Sequence, residues 1–372
     1  MSTSPCPANK ITFFPVLILI MAILLTGCGS GGAITASSWP GISTDETTVY
    51  LAFNQFVHAI DLESGEESWH YPEEPDRAIS FFASPAIADD GLVIIGGYDK
   101  VVYALEPGVG GNVRVVWKFE GASDRIVGSP VVAGDLVLVP SADYKLYALD
   151  LAKGNPVWAE PFAAQGALWS APMVEGDTVY LASLDHHVYA LDLSSGVELW
   201  STDSLDGAIT DTPTLAGNLL LVSTFNRQMI ALNIKRRGEV EWTFDAQGWV
   251  WGSPAVANGI AYFADNTGMA YAVDLTNAHE LWRIELDGPV TVTPALRDGN
   301  VFFVTEAGTV YSLETDSGKS LWTSNPNLNG ALLSDPVLTG DTLLVAVMGS
   351  ECLISAIDSY SGAVRCLFQP SE

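Results

Sequence analysis

A Tyr-Ala-Leu-Asp phrase recurs eight times along this chain, typically with a glycine four residues after the Asp and a Trp four residues after that. A polypeptide punctuated this way has few folds open to it. The phrase reads Tyr103 to Glu106, Tyr147 to Asp150, Tyr189 to Asp192 and Tyr271 to Asp274, with looser copies at His58, Ile230, Tyr311 and Ser355. The closing aromatics are Trp69, Trp117, Trp158, Trp200, Trp242, Trp282 and Trp322, and counting places Cys366 eighth. A Ser/Thr-Pro mark or a variant falls at Pro40, Pro85, Pro130, Pro172, Pro213, Pro254, Pro294 and Pro336. Both ladders step by about 40 to 45 residues, the period of one four-stranded propeller blade. The expected fold is all-β, an eight-bladed β-propeller of four-stranded antiparallel blades forming one domain over 39–372.

The third repeat shows the strand pattern. Pro130 to Ala133 reads as a first strand, Gly134-Asp135 as a turn, Leu136 to Ser141 as a second strand and Lys145 to Asp150 as a third. Asp150 to Gly154 then turns the chain into a fourth strand holding Trp158. A Pro on the first strand suits the innermost strand of a blade, a sheet edge lining the central channel, where a missing N–H breaks no ladder. Gly65, Gly154, Gly196, Gly318 and Gly362 are expected to supply a positive φ after the turn. Repeat six has Ala278 there, and repeat two lengthens the turn through Gly108 to Asn112. One indole per blade at a fixed place packs between neighbouring sheets, burying about 150–250 Å² each. No stretch after residue 38 sustains a 3.6-residue apolar period, so helices should be few.

The N-terminus has a different character. Lys10 precedes an apolar run from Ile11 to Leu25 that is short for a membrane span and broken by Pro15, the pattern of a signal peptide over 1–27. The run ends in Leu25-Thr26-Gly27-Cys28, which resembles the bacterial lipobox, and this implies lipidation of Cys28. Residues 28–38 form a Gly/Ser/Ala-rich tether that spans at most about 35 Å. With Cys6 in the signal segment and Cys28 lipidated, Cys352 and Cys366 are left in an oxidising compartment. The repeat alignment starts the third strand of the last blade at Cys352 and puts Cys366 on the fourth, nearly opposite, so a cross-strand disulfide is expected.

The chain carries 16 Lys and Arg against 44 Asp and Glu, a formal net charge of −28, which argues against nucleic acid and anionic lipid surfaces as partners. Lys235, Arg236 and Arg237 form its one basic cluster, in a third-to-fourth strand turn, and read as a solvated loop.

Through its Ala-Leu-Asp, Gly and Trp signature the chain resembles the quinoprotein-like propeller repeat family over essentially all of the chain that follows the tether. The resemblance implies one of two activities. Quinone-dependent dehydrogenases of this family add a vicinal Cys-Cys ring, a Glu/Asn/Asp calcium set and a catalytic Asp, and no Cys-Cys pair occurs here. Asp211, just before Thr212-Pro213, is the nearest candidate acid. His186-His187, read as successive strand residues on opposite faces, is poorly placed to share a metal. No phosphate loop, nucleophile elbow or zinc motif is visible, so no cofactor and no metal are expected. The other branch is the lipid-anchored BamB subunit of the outer-membrane β-barrel assembly machine, a scaffold. Its partner-binding Leu-x-Leu-Arg loop precedes a Ser-Ala-Pro blade start. Here Gly166-Ala167-Leu168-Trp169 precedes Ser170-Ala171-Pro172, without the Arg and one Leu. That family also tends to close its ring with an N-terminal strand, whereas the last repeat here owns its fourth strand.

Three residues before the Pro of repeats two to eight sit Phe82, Val127, Trp169, Thr210, Trp251, Thr291 and Leu333, with Trp249 on the face of Trp251. They should ring one mouth of the channel, where exposed aromatics favour a ligand or peptide and Arg125 offers a charge partner. The sequence therefore points to a non-catalytic, monomeric envelope lipoprotein, anchored to the membrane by lipid, at the periplasmic face of the outer membrane in a two-membrane bacterium. Its partner would be an envelope protein or peptide held at Phe82, Arg125, Trp169, Trp249 and Trp251. The competing readings are a quinone-dependent dehydrogenase and a sugar- or peptide-binding propeller.

Overall fold

The computed structural model describes residues 39–325 and 330–370, so the expected signal segment, the tether and Cys28 lie outside the described residues. Eight antiparallel sheets follow one another, each built from four consecutive strands. The first sheet runs Gly41–Thr44, Thr48–Phe53, Phe56–Asp61 and Glu67–Tyr71, and the eighth runs Val337–Thr339, Thr342–Ala346, Ile354–Asp358 and Val364–Phe368. First strands of neighbouring sheets touch, those of sheets one and eight included, which closes the sheets into a ring around a central channel. The expected eight-bladed propeller is the fold. Helical structure among the described residues is confined to two short 3₁₀ turns, Val109–Gly111 and Ile234–Arg236.

Second and third strands are buried on both faces, as in Val49–Ala52 and Val57–Ile60, because each blade is covered by a neighbour on either side. This explains apolar runs where a half-exposed sheet would alternate. The Tyr of the repeated phrase bonds to an acid in the turn before its strand. Tyr147 donates to Asp143 at 2.7 Å and Tyr189 to Asp185 at 2.8 Å. The Asp also receives an N–H from the chain arriving from the previous blade, Ser123 to Asp143 and Gln165 to Asp185, both at 2.8 Å. Burial pushes the Asp143 carboxyl up, but these donors outweigh it and leave its pKa below the ordinary value.

The Trp ladder joins each blade to the next. Indole N–H groups of Trp117, Trp158, Trp242, Trp282 and Trp322 donate across the blade boundary to the carbonyls of Leu151, Leu193, Leu275, Thr315 and Ser359, at 2.7–3.1 Å. Each acceptor directly follows the acid that ends the next blade's phrase. The turn glycine three residues further on lies against the same ring. A Cβ on Gly154 would sit 2.4 Å from Trp117, and one on Gly196 equally close to Trp158, and both glycines have positive φ. In repeat six Ala278 takes that conformation with φ 57°.

Two fourth strands differ from the sequence expectation. In blade three the strand is Phe162–Ala163 and Trp158 lies outside it, because Pro156 and Pro161 flank Trp158 and remove ladder donors. Trp158 nonetheless remains buried with its indole bond intact. In blade eight the counted position is wrong. In the six remaining blades a bulge directly before the Trp pairs it with the Ala (or Ser) of the phrase, as in Ala272 opposite Trp282. The eighth blade moves its bulge to Ile354/Ser355, so Ala356 faces Arg365 and Cys366 is displaced by one. The Arg365 guanidinium donates to the Leu62 carbonyl of blade one at 3.1 Å, the same station that the indoles use.

Among the described residues no strand is exchanged at this seam. An apolar cluster that includes Ile42, Leu51 and Ile60 of blade one with Leu344, Ile354 and Phe368 of blade eight holds it. Cys352 lies just before the third strand, which starts at Ile354, and its Cα is 5.8 Å from that of Cys366, with the sulfurs at 2.11 Å.

If the glycine is there to receive the ring, Gly154→Ala should destabilise by about 2–4 kcal/mol, combining backbone strain with overpacking. Gly134→Ala has positive φ but open space around it, and should cost only about 1 kcal/mol. Equal losses in urea denaturation would show that the Trp contact contributes nothing.

Candidate functional site at the channel mouth

The Ser/Thr-Pro mark acquires a cause at the channel wall. The residue before the Pro offers its side-chain oxygen to the backbone N–H of the equivalent residue one blade earlier. Ser84 donates to Ser129 Oγ at 3.0 Å, Ser253 to Thr293 Oγ1 at 3.1 Å and Thr293 to Asp335 Oδ1 at 2.8 Å. A short side chain with an acceptor serves this bond, which accounts for the Ser and Thr. Blade eight has an acid there, blade four has Ala171, and blade one has Trp39.

Residues three before the Pro form the next layer outward. Phe82, Val127, Trp169, Thr210, Trp251, Thr291 and Leu333 all line one cavity of about 210 Å³ at the mouth, as their spacing predicts. Sequence reasoning missed Trp39, Tyr98 and Phe225, which join the predicted aromatics into a belt. Tyr98 stacks on Phe82 at 3.8 Å. Trp39 stands edge-on to Phe82 of blade two at 6.2 Å and to Trp251 of blade six at 6.1 Å, reaching across the funnel. Phe225 touches Trp251 at 5.0 Å and Trp249 at 5.8 Å. Arg125 ends the belt, its guanidinium 5.4 Å from the Tyr98 ring centre and its Nε 4.0 Å from Asp124. Tyr98 and Phe225 occupy second-to-third strand turns, a position that only the repeat alignment would have flagged. Trp39 and Trp249 keep 41% and 51% of their surface exposed, so the belt plugs the funnel and still presents rings to solvent.

Beneath the belt lie two carboxylates. Asp211 accepts from the N–H groups of Thr212 at 2.7 Å and Ser253 at 2.8 Å, and from Thr293 Oγ1 at 3.2 Å. Thr293 thus holds both Asp211 and Asp335. Loss of bulk water raises the pKa of Asp211, and enclosure together with the charge of Asp211 pushes Asp335 up to about 7, although Asp335 still meets channel water. Ser334 Oγ and Trp169 Nε1, both on cavity-lining residues, are buried without a partner.

The other candidates lie elsewhere. His186 and His187 are in the turn before the strand Val188–Asp192, not on a strand as expected. His186 has φ 74°, and His187 Nδ1 is 2.7 Å from the Thr202 carbonyl. Arg236 is paired with Glu239 and Glu241, and Arg237 donates to the Leu199 carbonyl at 2.8 Å, so that loop's charge is partly spent. Among the described residues no three His, Cys, Asp or Glu side chains gather where they could hold a metal.

A family profile described as "Outer membrane protein assembly factor BamB" matches residues 53–234 and 235–366. The chain belongs to this family. A search of curated protein sequences finds no match. Solved structures with the same fold include BamB from Moraxella catarrhalis, 19% identical with a TM-score of 0.68 over 85% of this chain and 92% of that one. The computationally designed Ika8 protein is 15% identical with a TM-score of 0.70 over 88% and 95%. Sqt1 of Saccharomyces cerevisiae is 14% identical with a TM-score of 0.71 over 84% and 93%. Across such distances the likeness is one of architecture.

The carboxylate pair gives a stability test. A folded-state pKa above the ordinary 3.8 means that the native protein holds the proton more tightly than the unfolded chain. Stability from Asp335 is therefore lost as pH rises from about 4 to about 7. Asp335→Asn keeps an acceptor for Thr293 and should stabilise by about 1 kcal/mol at pH 8, channel water screening much of the repulsion. At pH 4 the gain should vanish. A melting temperature lowered at pH 8 would contradict the pair's repulsion.

Proposed function

We propose that this chain is a lipid-anchored, non-catalytic scaffold of the cell envelope that binds a protein partner at its aromatic mouth and serves the assembly of outer-membrane β-barrel proteins. Family membership supports the assembly role and an outer-membrane station. The observation that carries the mouth is its composition. Trp39, Trp249 and Trp251 lie outside the inter-blade ladder, so packing of the repeat does not demand them, and two of the three are largely exposed. Aromatics near the centre of an interface often cost about 2 kcal/mol or more when truncated. No helix among the described residues is long and apolar enough to cross a membrane. The proposed anchor is diacylglyceryl on Cys28, and the proposed staple of the last blade is a Cys352–Cys366 disulfide, a short loop worth about 3 kcal/mol in the chain-entropy model.

Photo-crosslinkers placed beside Trp249 should capture an envelope protein, and a Trp249→Ala, Trp251→Ala variant should lose that capture while keeping its melting profile. A folded variant with every crosslink intact would move the interface to another face. Peptide mass spectrometry of protein taken from native envelopes, without reduction, should find an acylated N-terminal Cys28 and linked Cys352 and Cys366 peptides. An unmodified Cys28 or free thiols would remove the anchor or the staple from the proposal.

A further inference from the structure

The cavity beneath the belt is built for a positive charge. Asp211 and Asp335 are its sole titratable lining groups among the described residues, and no Lys, Arg or His lines it. Above them stand the faces and edges of Trp39, Phe82, Trp169 and Trp251, surfaces that attract cations through the ring quadrupole. The buried Ser334 Oγ, next to Asp335 in the chain, lacks a partner and offers one more acceptor, while the unpartnered Nε1 of Trp169 offers a donor. At about 210 Å³ the space falls below the roughly 300–1,000 Å³ of a typical small-molecule site. It matches a single side chain.

From this geometry we infer that the mouth recognises a Lys or Arg side chain presented by the partner protein, its stem passing between the aromatic rings and its charged head meeting Asp211 and Asp335. The inference rests on the mouth being the partner surface and names the chemistry that fits it. Complementary charge is the supporting argument: a chain of net charge −28 presents two like charges in one enclosed funnel with no internal counter-ion. An incoming cation relieves their repulsion.

The test uses N-acetyl-arginine amide and N-acetyl-lysine amide, with N-acetyl-citrulline amide as the uncharged isostere of arginine, followed by tryptophan fluorescence and calorimetry. At least one cationic probe should saturate a single site. Citrulline should bind at least about tenfold more weakly, and Asp335→Asn should weaken the cation by about the same factor. Affinity should rise as pH climbs through about 7, where Asp335 gives up its proton. Asp211 is the other titrating group that lines the site; the basic group of the mouth, Arg125, sits against Tyr98 and Asp124 and does not line the cavity. Equal binding of citrulline, unchanged affinity in Asp335→Asn, no binding of any probe, or calcium alone filling the site would each overturn the inference. Intact probe binding in a protein whose Trp249→Ala, Trp251→Ala variant keeps every partner crosslink would instead count against the mouth as the partner surface, so the two failures are distinguishable.

Discussion

The ring is held together by contacts between the outer part of one blade and the inner turn of the next. Five ladder indoles cross to a carbonyl that the next blade's phrase has just delivered, and at four of them the glycine that follows leaves room for the ring. The three marks of the repeat are thus parts of one joint. The acid ends the strand, the residue after it offers the carbonyl, and the glycine removes the Cβ that would strike the indole. Because the indole bond recurs at five boundaries, four of them with the glycine, the angle between blades is fixed locally, and the number of repeats sets the number of blades.

At the inner radius the same economy operates with smaller groups. Hydroxyls of Ser129 and Thr293, each before a proline, satisfy the N–H one blade back, and the proline tolerates the edge position because its missing donor has no ladder to break. The rule is relaxed in blades one and eight. Trp39 and Asp335 stand where Ser or Thr would serve, and each brings to the channel something that the wall does not require, an indole across the funnel and a second carboxylate beside Asp211.

The fold and most of the mouth were legible in the sequence, because period and alignment register are enough to place a residue on a blade. The seven mouth residues three positions before each Pro line one cavity for that reason. What counting could not see was register within a strand. One bulge shifted in blade eight puts Arg365 at the station assigned to Cys366, and prolines beside Trp158 detach it from the strand it was given. Tyr98, Phe225 and Trp39 were missed because their roles depend on which turns converge in space, and His186 was placed on a strand because its positive φ leaves no trace in residue type.

The seam between first and last blades has a consequence for biogenesis. Since every sheet is contiguous in sequence, no early strand waits for a distant partner, and blades can form in chain order. Only the pairing of blade one with blade eight spans the whole chain, through Arg365, Leu62 and the cluster around Ile42 and Phe368. Until it forms, the apolar faces of those two blades stand open at the ends of an arc. The interval between synthesis of blade one and arrival of blade eight is then the period in which this protein most needs a chaperone, and an envelope factor that shields one bare blade face would suffice.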